Sequence, residues 1–170
     1  QGGNTGLVGG GIPDQTGESV ILSLKKMNSI IEFSPENRTI IAQSGCILQQ
    51  IHELVEKQNL CLPLTLAAKG SCTIGGNLAT NAGGLNVLRY GSMREQCLGL
   101  EVVLADGAII NQLEPLMKDN TGYDLKNLFI GSEGTLGIIT ASCLKLVSRP
   151  IVKSTSIAVI EKFEHSLKLL

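Results

Sequence analysis

The pattern of apolar and polar positions first indicates short β-strands joined by turns. Apolar runs over 29–33 and 39–43 flank a polar turn that contains Pro35 and Asn37. Two such runs around a turn predict a β-hairpin. The apolar run SVILSL over 19–24 predicts a further strand ahead of it. Because strands that are joined by short turns run antiparallel, these elements predict an α+β domain with a mainly antiparallel sheet.

A second hairpin is predicted over 98–111. Apolar residues occupy every other position from Leu98 to Leu104, and the dipeptide Asp106-Gly107 separates the two arms. Asp-Gly favours a two-residue turn in which both residues take positive φ. The pattern therefore predicts two adjacent antiparallel strands at this point of the chain.

The clearest helical pattern covers residues 46–59. Its apolar residues recur at the three- and four-residue spacing of one helical face. They are Ile47, Leu48, Ile51, Leu54 and Val55. We expect this face to be buried against the sheet and Asn59 to end the helix. His52 falls on the polar side with no metal ligand near it in the sequence, so it is interpreted as a solvated side chain.

Shorter elements are predicted in the second half of the chain. Residues 115–118 and 125–129 have the pattern of short helices, and Asp124 stands where it would cap the second one. A strand is predicted over 144–147, directly after a glycine-rich segment.

The last twenty residues predict the start of another domain. Residues 157–160 form an apolar strand pattern and residues 162–170 a helical one, after the dipeptide Arg149-Pro150. We therefore expect one domain over 1–150 and the beginning of a second over 151–170. The chain starts with Gln1 inside a glycine-rich loop, so we expect it to be a fragment of a longer protein.

Composition indicates a folded domain and excludes some classes of partner. Hydrophobic residues make up 43% of the chain, charged residues 17%, and the net charge is −1, which is typical of a domain that buries a core. No run of Lys and Arg is longer than two residues, so no nucleic-acid surface is predicted. No apolar segment has the length of a membrane span.

The five cysteines are spaced too widely for a CxxC metal or redox pair. Their odd number also argues against a closed disulfide framework. We interpret them as buried thiols in a reducing compartment.

Three glycine-rich segments are the strongest candidates for a functional site. They are named here the first glycine loop, 1–11, the central glycine run, 69–84, and the third glycine loop, 131–137. Glycine lets backbone N–H groups approach a ligand closely, and successive N–H groups suit an anion such as pyrophosphate. A flexible surface loop is the alternative for each segment alone, and convergence on one ligand accounts better for all three together.

None of these segments has a standard phosphate-loop motif. Gly9 and Gly11 have the first spacing of GxGxxG, but position 14 is Asp. Gly70 and Gly75 have the Walker spacing, but Gly76 stands where that motif requires lysine. Backbone donors, with the Asn4 and Thr5 side chains, therefore remain as the predicted phosphate ligands.

Side chains in and after the central glycine run are assigned to two environments. Ile74 and Leu78 are predicted to face a core, whereas Asn77 and Asn81 are predicted to face a ligand. Arg89 is either a ligand-facing cation or a surface charge, and the sequence leaves both interpretations open.

Six stretches together resemble the FAD-binding domain of the vanillyl-alcohol oxidase/p-cresol methylhydroxylase (PCMH) family. They are most similar to its D-2-hydroxyacid dehydrogenase branch, in particular the mitochondrial D-2-hydroxyglutarate dehydrogenases. The resemblance covers about residues 1–150 and rests on QGGNTG over 1–6, KGSCTIGGNLATNAGG over 69–84, LRYGS over 88–92, GLEVVLADG over 99–107, DNTGYDLK over 119–126 and GSEGTLGIIT over 131–140.

The resemblance implies an α+β, PCMH-type fold in which two subdomains hold FAD, the first of them truncated before Gln1. Asn4 stands where members with covalent flavin often have histidine, which implies non-covalent FAD. The cofactor-binding residues that the resemblance implies are Gln1, Gly2, Gly3, Asn4, Thr5, Gly6, Gly70, Ser71, Thr73, Gly76, Thr80, Asn81, Gly83, Glu133, Gly134, Ile138 and Ile139.

The activity that the resemblance implies is oxidation of a small 2-hydroxy acid, D-2-hydroxyglutarate to 2-oxoglutarate in the most similar branch, with hydride transfer to flavin N5. An electron-transfer flavoprotein or a similar acceptor and a mitochondrial location are implied with it. Substrate carboxylate binding, a divalent metal and the general base are expected in a C-terminal cap domain. His52 and His165 match no catalytic position, so no catalytic residue is assigned.

Other functions remain open from the sequence. D-lactate dehydrogenase, a glycolate oxidase subunit and alkyl-glycerone-phosphate synthase share the implied fold. A nucleotide-binding module without redox activity is the alternative from another class, and a poorly folding fragment without activity is a third.

Overall fold

A five-stranded antiparallel sheet is the main element of the computed structural model, which describes residues 1–169. The strands are β1 Ile30–Ser34, β2 Thr39–Gln43, β3 Leu60–Cys61, β4 Cys97–Val103, β5 Ile109–Gln112, β6 Ile138–Lys145 and β7 Val147–Ser148. The helices are α1 Leu48–Glu56, α2 Ile74–Ala79, α3 Val87–Tyr90, α4 Met93–Gln96, α5 Lys126–Phe129 and a 3₁₀ helix Phe163–Lys168.

The large sheet has the strand order β1-β2-β6-β4-β5, and all its neighbours are antiparallel. This confirms the predicted α+β fold with an antiparallel sheet and both predicted hairpins. The central strand, β6, begins at Ile138, six residues before the strand that was predicted over 144–147. β6 pairs with β2 on one side and with β4 on the other, and the pairing with β4 extends the strand back to the glycine-rich segment.

The turn between β4 and β5 differs from the prediction. Only Gly107 has positive φ, at 86°, and its N–H donates to the Leu104 carbonyl at 3.0 Å while the Leu104 N–H donates to the Ala108 carbonyl at 2.8 Å. The loop is therefore a three-residue turn, which needs one left-handed residue rather than two. The Asp106 carboxylate accepts from the Ala108 N–H at 3.0 Å, so its role is to close this turn.

Three predicted short elements are wrong, and each lacks a surface to pack on. Residues 19–24 form no strand. Residues 19–23 are exposed, and Leu24 is half-buried and donates from its N–H to the Gln1 carbonyl at 3.1 Å. Residues 115–118 form no helix, and only Met117 and Lys118 form a bend. Residues 157–160 are extended without a partner strand among the described residues. Apolar runs without a partner do not gain the burial that stabilises an element.

In place of the helix predicted over 162–170, the structure has a 3₁₀ helix over Phe163–Lys168. Leu170, the last residue of the predicted range, lies outside the described residues. The predicted domain boundary near residue 150 stays a prediction. Among residues 1–169, no helix combines the length and apolar character that crossing a bilayer requires.

The helix predicted over 46–59 is confirmed as α1, although it is shorter at both ends. Leu48, Ile51 and Val55 are fully buried, as predicted for the apolar face, whereas Ile47 and Leu54 are only half-buried. Asn59, the predicted stop, takes the left-handed conformation with φ of 54°, two residues beyond the C-cap at Lys57. The chain reverses there and enters β3.

Truncation of Ile51 tests how far the core depends on α1. Ile51 is 0% exposed within the main apolar cluster, so Ile51→Ala should lower the free energy of unfolding by about 2–4 kcal/mol. Urea unfolding of the full-length protein measures this change. Gln50→Ala, one position away on the exposed face, is the control and should change the unfolding free energy by less than about 0.5 kcal/mol.

The prediction that His52 is a solvated side chain is wrong. Its Nε2 atom is buried and has no hydrogen-bond partner among the described residues. Burial is the main reason why the pKa of His52 lies below its ordinary value, and the main chain of Leu62 acts in the opposite direction. The imidazole is therefore held in its neutral form by the folded protein.

The burial of His52 predicts that the free energy of unfolding depends on pH. Since His52 in the unfolded chain titrates near 6.5 and its folded pKa is lower, the unfolded state binds the proton more readily. The contribution to stability is complete above pH 6.5 and is lost as the pH falls through the folded pKa. Unfolding free energies over a pH series should decline less in His52→Gln than in the parent protein. Equal slopes in both proteins would contradict this assignment.

The cysteines are free thiols, and four of the five are buried while Cys61 is half-buried. This agrees with their interpretation as buried thiols. Burial raises the pKa of Cys97 to about 12 and that of Cys143 to about 11. Both thiols therefore stay protonated at neutral pH and are poor nucleophiles.

Candidate functional site

The first glycine loop lies directly on the central glycine run. A β-carbon on Gly2 would lie 2.5 Å from Thr73 Oγ1, and one on Gly3 would lie 2.2 Å from the Ser71 carbonyl oxygen and 2.9 Å from Cys72 Cα. Real β-carbons do not approach other atoms this closely, so these two positions require glycine. The two segments are therefore in backbone-to-backbone contact.

The third glycine loop docks on the other end of the same run. The Gly131 N–H donates to the Leu78 carbonyl at 3.0 Å and the Glu133 N–H to the Ala79 carbonyl at 2.9 Å. Gly131 and Glu133 both take positive φ, at 84° and 54°. The third loop thereby binds carbonyl groups at the C-terminal end of α2. The Leu78 carbonyl also accepts from the Asn81 N–H at 3.0 Å.

The first and third loops also approach each other. A β-carbon on Gly10 would lie 3.5 Å from a carboxylate oxygen of Glu133, which is an ordinary van der Waals distance. All three glycine clusters therefore meet in one region, as the sequence predicted.

The middle of the central glycine run is a helix, α2, which sequence reasoning missed. Thr73 is its N-cap and accepts from the Gly76 N–H at 3.4 Å. Ile74 and Leu78 are fully buried, as predicted. A β-carbon on Gly75 would lie 2.5 Å from Ser44 Cβ, so this glycine lets the helix pack against the end of β2. Tertiary packing stabilises a helix whose glycines disfavour it intrinsically.

Gly76 differs from its neighbour Gly75 because its α-carbon faces an open side. Within residues 1–169, and apart from its chain neighbours and its own helix backbone, a β-carbon at this position would meet only Thr73 Oγ1 within 4 Å, at 3.2 Å. Protein packing therefore does not require glycine at position 76, and a ligand that approaches the backbone would require it.

The first glycine loop offers a series of free backbone donors. The N–H groups of residues 2–6 donate no hydrogen bond to any part of the described chain. Asn4 has φ of 53°, and Gln1 ties the two ends of the loop together by donating from Nε2 to the Gly11 carbonyl at 2.6 Å. Consecutive unpaired N–H groups around a left-handed residue form a concave, anion-binding nest.

The two asparagines of the central run have structural partners. Asn77 is 4% exposed and donates from Nδ2 to Cys72 Sγ at 3.6 Å, so the prediction that it faces a ligand is wrong. The Asn81 Oδ1 accepts from Ser92 Oγ at 2.8 Å and from the Arg94 N–H at 3.0 Å. Its Nδ2 has no hydrogen-bond partner in residues 1–169 and remains the part of Asn81 that could serve a ligand.

The remaining predicted site residues lie in two environments. Gly70, Ser71, Thr80 and Gly134 are exposed, and Gly83 is half-buried. The other two lie at the start of β6, where Ile138 pairs with Val103 and Ile139 with Val102. Ile139 is buried and its carbonyl accepts from Ser44 Oγ at 2.6 Å. The exposed group borders the meeting point of the loops, whereas Ile139 belongs to the core of the sheet.

Arg89 is exposed and lies 5.3 Å from the centroid of the Tyr90 ring. This position favours its interpretation as a surface charge. Arg94, which sequence reasoning did not single out, is instead half-buried and donates to the carbonyl of Asn127 at 2.7 Å and to that of Ile130. Only its charge distinguished it in the sequence, and that charge gave no information on its partners.

Asp124 does not cap α5, which corrects a further prediction. The N-cap of α5 is Leu125 and receives no side-chain hydrogen bond. Asp124 accepts from the side chains of Lys126 at 2.8 Å and Asn127 at 2.7 Å. The hydrogen bond from Lys126 is the main reason why the pKa of Asp124 is lowered.

Titratable side chains are sparse at this site. Within residues 1–169, no group of three His, Cys, Asp and Glu side chains could hold a metal ion. The unpaired N–H groups of residues 2–6 are the feature of this region that suits an anionic ligand.

Comparisons with known proteins agree with this geometry. The family described as FAD binding domain matches residues 1–112. The chain is 55% identical over 158 residues to the mitochondrial D-2-hydroxyglutarate dehydrogenase of Rattus norvegicus, covering 93% of this chain and 29% of that protein. It is 56% identical over 150 residues to the Bos taurus protein of the same name, covering 88% and 27%.

A solved structure shares the fold of this chain. An alkyldihydroxyacetonephosphate synthase superposes with a TM-score of 0.76 at 26% identity, covering 89% of this chain and 27% of that one. The chain spans less than a third of the length of the two D-2-hydroxyglutarate dehydrogenases above. With its family profile, its antiparallel fold and its three converging glycine clusters, the chain belongs to the family of FAD binding domains.

Proposed function

We propose that the three glycine clusters bind FAD without a covalent bond. The observation that carries this proposal is the nest of unpaired N–H groups over residues 2–6, beside the open face of Gly76. The two phosphates of FAD need several donors, and residues 1–6 and 70–76 include no lysine to supply them. Backbone N–H groups meet this need, and we propose that a side chain at position 76 would occupy space next to them, since a β-carbon on Gly2 would lie 3.5 Å from the Gly76 α-carbon.

The proposed ligand residues are divided by segment. The first loop supplies backbone donors, the central run supplies the open face, and the third loop supplies the opposite wall. The proposed set is Gln1, Gly2, Gly3, Asn4, Thr5, Gly6, Gly70, Ser71, Thr73, Gly76, Thr80, Asn81, Gly83, Glu133, Gly134, Ile138 and Ile139.

Within this set the contributions differ because some groups already have partners. The Glu133 N–H and the Ile139 carbonyl are engaged inside the protein. Their proposed role is to fix the third loop and β6 at the site, and the free donors of the first loop bind the phosphates. Asn4 is no nucleophile for flavin attachment, which favours the non-covalent form.

We further propose that the full-length protein oxidises D-2-hydroxyglutarate to 2-oxoglutarate. This rests on the 55% and 56% identity to D-2-hydroxyglutarate dehydrogenases. Bound FAD supplies the hydride-accepting chemistry, while the protein binds and orients it. A mitochondrial location follows from the names of the same relatives. An electron-transfer flavoprotein, or a similar acceptor, is the proposed partner.

The groups that bind the substrate carboxylates are proposed to lie outside residues 1–170, together with a divalent metal and the general base. In this proposal the chain provides the cofactor site, and another part of the protein provides the substrate site.

Anaerobic reduction of the bound flavin tests the activity. D-2-hydroxyglutarate added to the full-length protein should bleach the visible flavin absorbance, and L-2-hydroxyglutarate should not. Faster bleaching by D-lactate or glycolate would contradict the proposed substrate. A flavin that stays oxidised with every 2-hydroxy acid would favour a nucleotide-binding module without redox activity. Release of the flavin into the supernatant after acid precipitation tests the non-covalent mode.

A further inference from the structure

Arg94 connects three elements around the candidate site. Its backbone N–H donates to Asn81 Oδ1 at 3.0 Å, just after α2. Its guanidinium donates from Nη1 to the carbonyl and to Oδ1 of Asn127, at 2.7 and 3.0 Å, and from Nη2 to the Ile130 carbonyl. One residue of α4 therefore joins the end of the central glycine run to α5.

The two carbonyl groups that Arg94 binds lie at the C-terminal end of α5. Carbonyls in the last turn of a helix lack partners within the helix, and a cation there is favourable. Ile130 is the C-cap of α5 and is 1% exposed. Its carbonyl therefore gains little from solvent and depends on Arg94 for its hydrogen bond.

The third glycine loop starts at the next residue. A β-carbon on Gly131 would lie 3.4 Å from Nη2 of Arg94, so the guanidinium is in contact with the first residue of the loop. The planar group donates in fixed directions to the carbonyls of Asn127 and Ile130, three residues apart, which a flexible ammonium group does not do. The direction in which the chain leaves α5 is therefore set at Arg94.

We propose that Arg94 is a positioning residue that holds the third glycine loop against the central glycine run, and that it thereby tightens cofactor binding. The inference about affinity rests on the proposed FAD site. The loop keeps two further hydrogen bonds, from the Gly131 N–H to the Leu78 carbonyl and from the Glu133 N–H to the Ala79 carbonyl. Loss of the guanidinium should therefore loosen the loop without unfolding it.

Three variants of the full-length protein test this role. Arg94→Met removes the charge but keeps the aliphatic stem, and Arg94→Lys keeps the charge without the planar fork. Arg89→Met is the matched control, because Arg89 carries the same charge on the same segment but is exposed. Arg94→Met should weaken FAD binding to the apoprotein by about tenfold or more, since it loses hydrogen bonds to a charged group. Arg94→Lys should lie between this variant and the parent.

Two readouts separate positioning from a general loss of stability. Visible circular dichroism of FAD at saturation should change in Arg94→Met and stay unchanged in Arg89→Met. Hydrogen–deuterium exchange over residues 131–137 should accelerate in apo Arg94→Met, while exchange over β2 and β6 stays at the parent rate. If Arg94→Met does not fold, Arg94→Lys is judged by the same two measurements.

The outcomes distinguish this inference from the proposed function. Parental exchange over 131–137 and parental FAD affinity in Arg94→Met would overturn the positioning role. An equal loss of FAD affinity in Arg89→Met would also overturn it. The loss would then follow from removing a positive charge and not from the hydrogen bonds of Arg94. A parent protein that binds no FAD would refute the proposed function, and faster exchange in Arg94→Met would still support the positioning of the loop.

Discussion

Replacement of Gly76 by valine should remove bound flavin from the full-length protein while leaving the five-stranded sheet folded. A β-carbon at position 76 meets one atom beyond its chain neighbours and its own helix backbone, the Thr73 hydroxyl at 3.2 Å, which must shift by a few tenths of an ångström to admit it. Valine also has a better helix propensity than glycine by a few tenths of a kcal/mol. The branched side chain would instead fill the space proposed for the pyrophosphate.

The expected effect on affinity is large. Each backbone hydrogen bond to a charged phosphate is worth about 1.5–3 kcal/mol, so the loss of two weakens binding by about a hundredfold or more. Flavin absorbance of the purified variant and its far-ultraviolet circular dichroism measure the two parts of the prediction. Stoichiometric FAD with normal activity would show that this glycine serves the fold and not the cofactor.

Gly75→Val is the matched control. The neighbouring β-carbon would lie 2.5 Å from Ser44 Cβ and 3.1 Å from the Ser44 carbonyl oxygen. Overpacking of this kind costs about 1–3 kcal/mol. Gly75→Val should therefore lower the melting temperature of the apoprotein clearly more than Gly76→Val does. Equal destabilisation by both substitutions would remove the distinction between a packing glycine and a ligand-facing glycine.

Replacement of Gly3 by alanine should also reduce FAD affinity, by about tenfold or more, through a different cause. The added β-carbon would lie 2.2 Å from the Ser71 carbonyl oxygen, which is a backbone atom and cannot rotate away. The first glycine loop must then separate from the central run. Titration of the apoprotein with FAD measures the loss.

The fold should tolerate this separation, because no residue before Ser34 is fully buried. Gly10→Ala is the control in the same loop, where the added β-carbon meets only the end of the Glu133 side chain at 3.5 Å. We expect Gly10→Ala to bind FAD like the parent. Parental affinity in Gly3→Ala would show that the contact between the two glycine segments is dispensable for the cofactor.

The parts of the fold that the sequence predicted correctly are those whose periodicity persists over many residues. The hairpin β1–β2 and the helix α1 both have a continuous apolar pattern and a recognisable turn or stop. The failures at 19–24 and 157–160 are short apolar runs without a partner strand. Local pattern specifies that a run can form a strand, and only tertiary structure specifies whether another strand pairs with it.

The candidate site was predicted at the level of segments, and less well at the level of side chains. Glycine content alone indicated that three separated segments serve one purpose, because close backbone approach requires glycine. The bonds of Arg94 were not predictable, since its partners include backbone carbonyls more than thirty residues away that have no sequence signature. The burial of Asn77 was missed because the helix α2 around it was not predicted. Gly75 and Gly76 likewise look equivalent in sequence and differ only in what surrounds them.

Flavin content is the most direct test of the central claim that the converging glycine clusters bind FAD. The parent full-length protein should be purified and its visible spectrum recorded before and after acid precipitation. We expect a flavin spectrum with stoichiometric FAD, recovered in the supernatant. A colourless protein whose apo form takes up no FAD on titration would contradict the account.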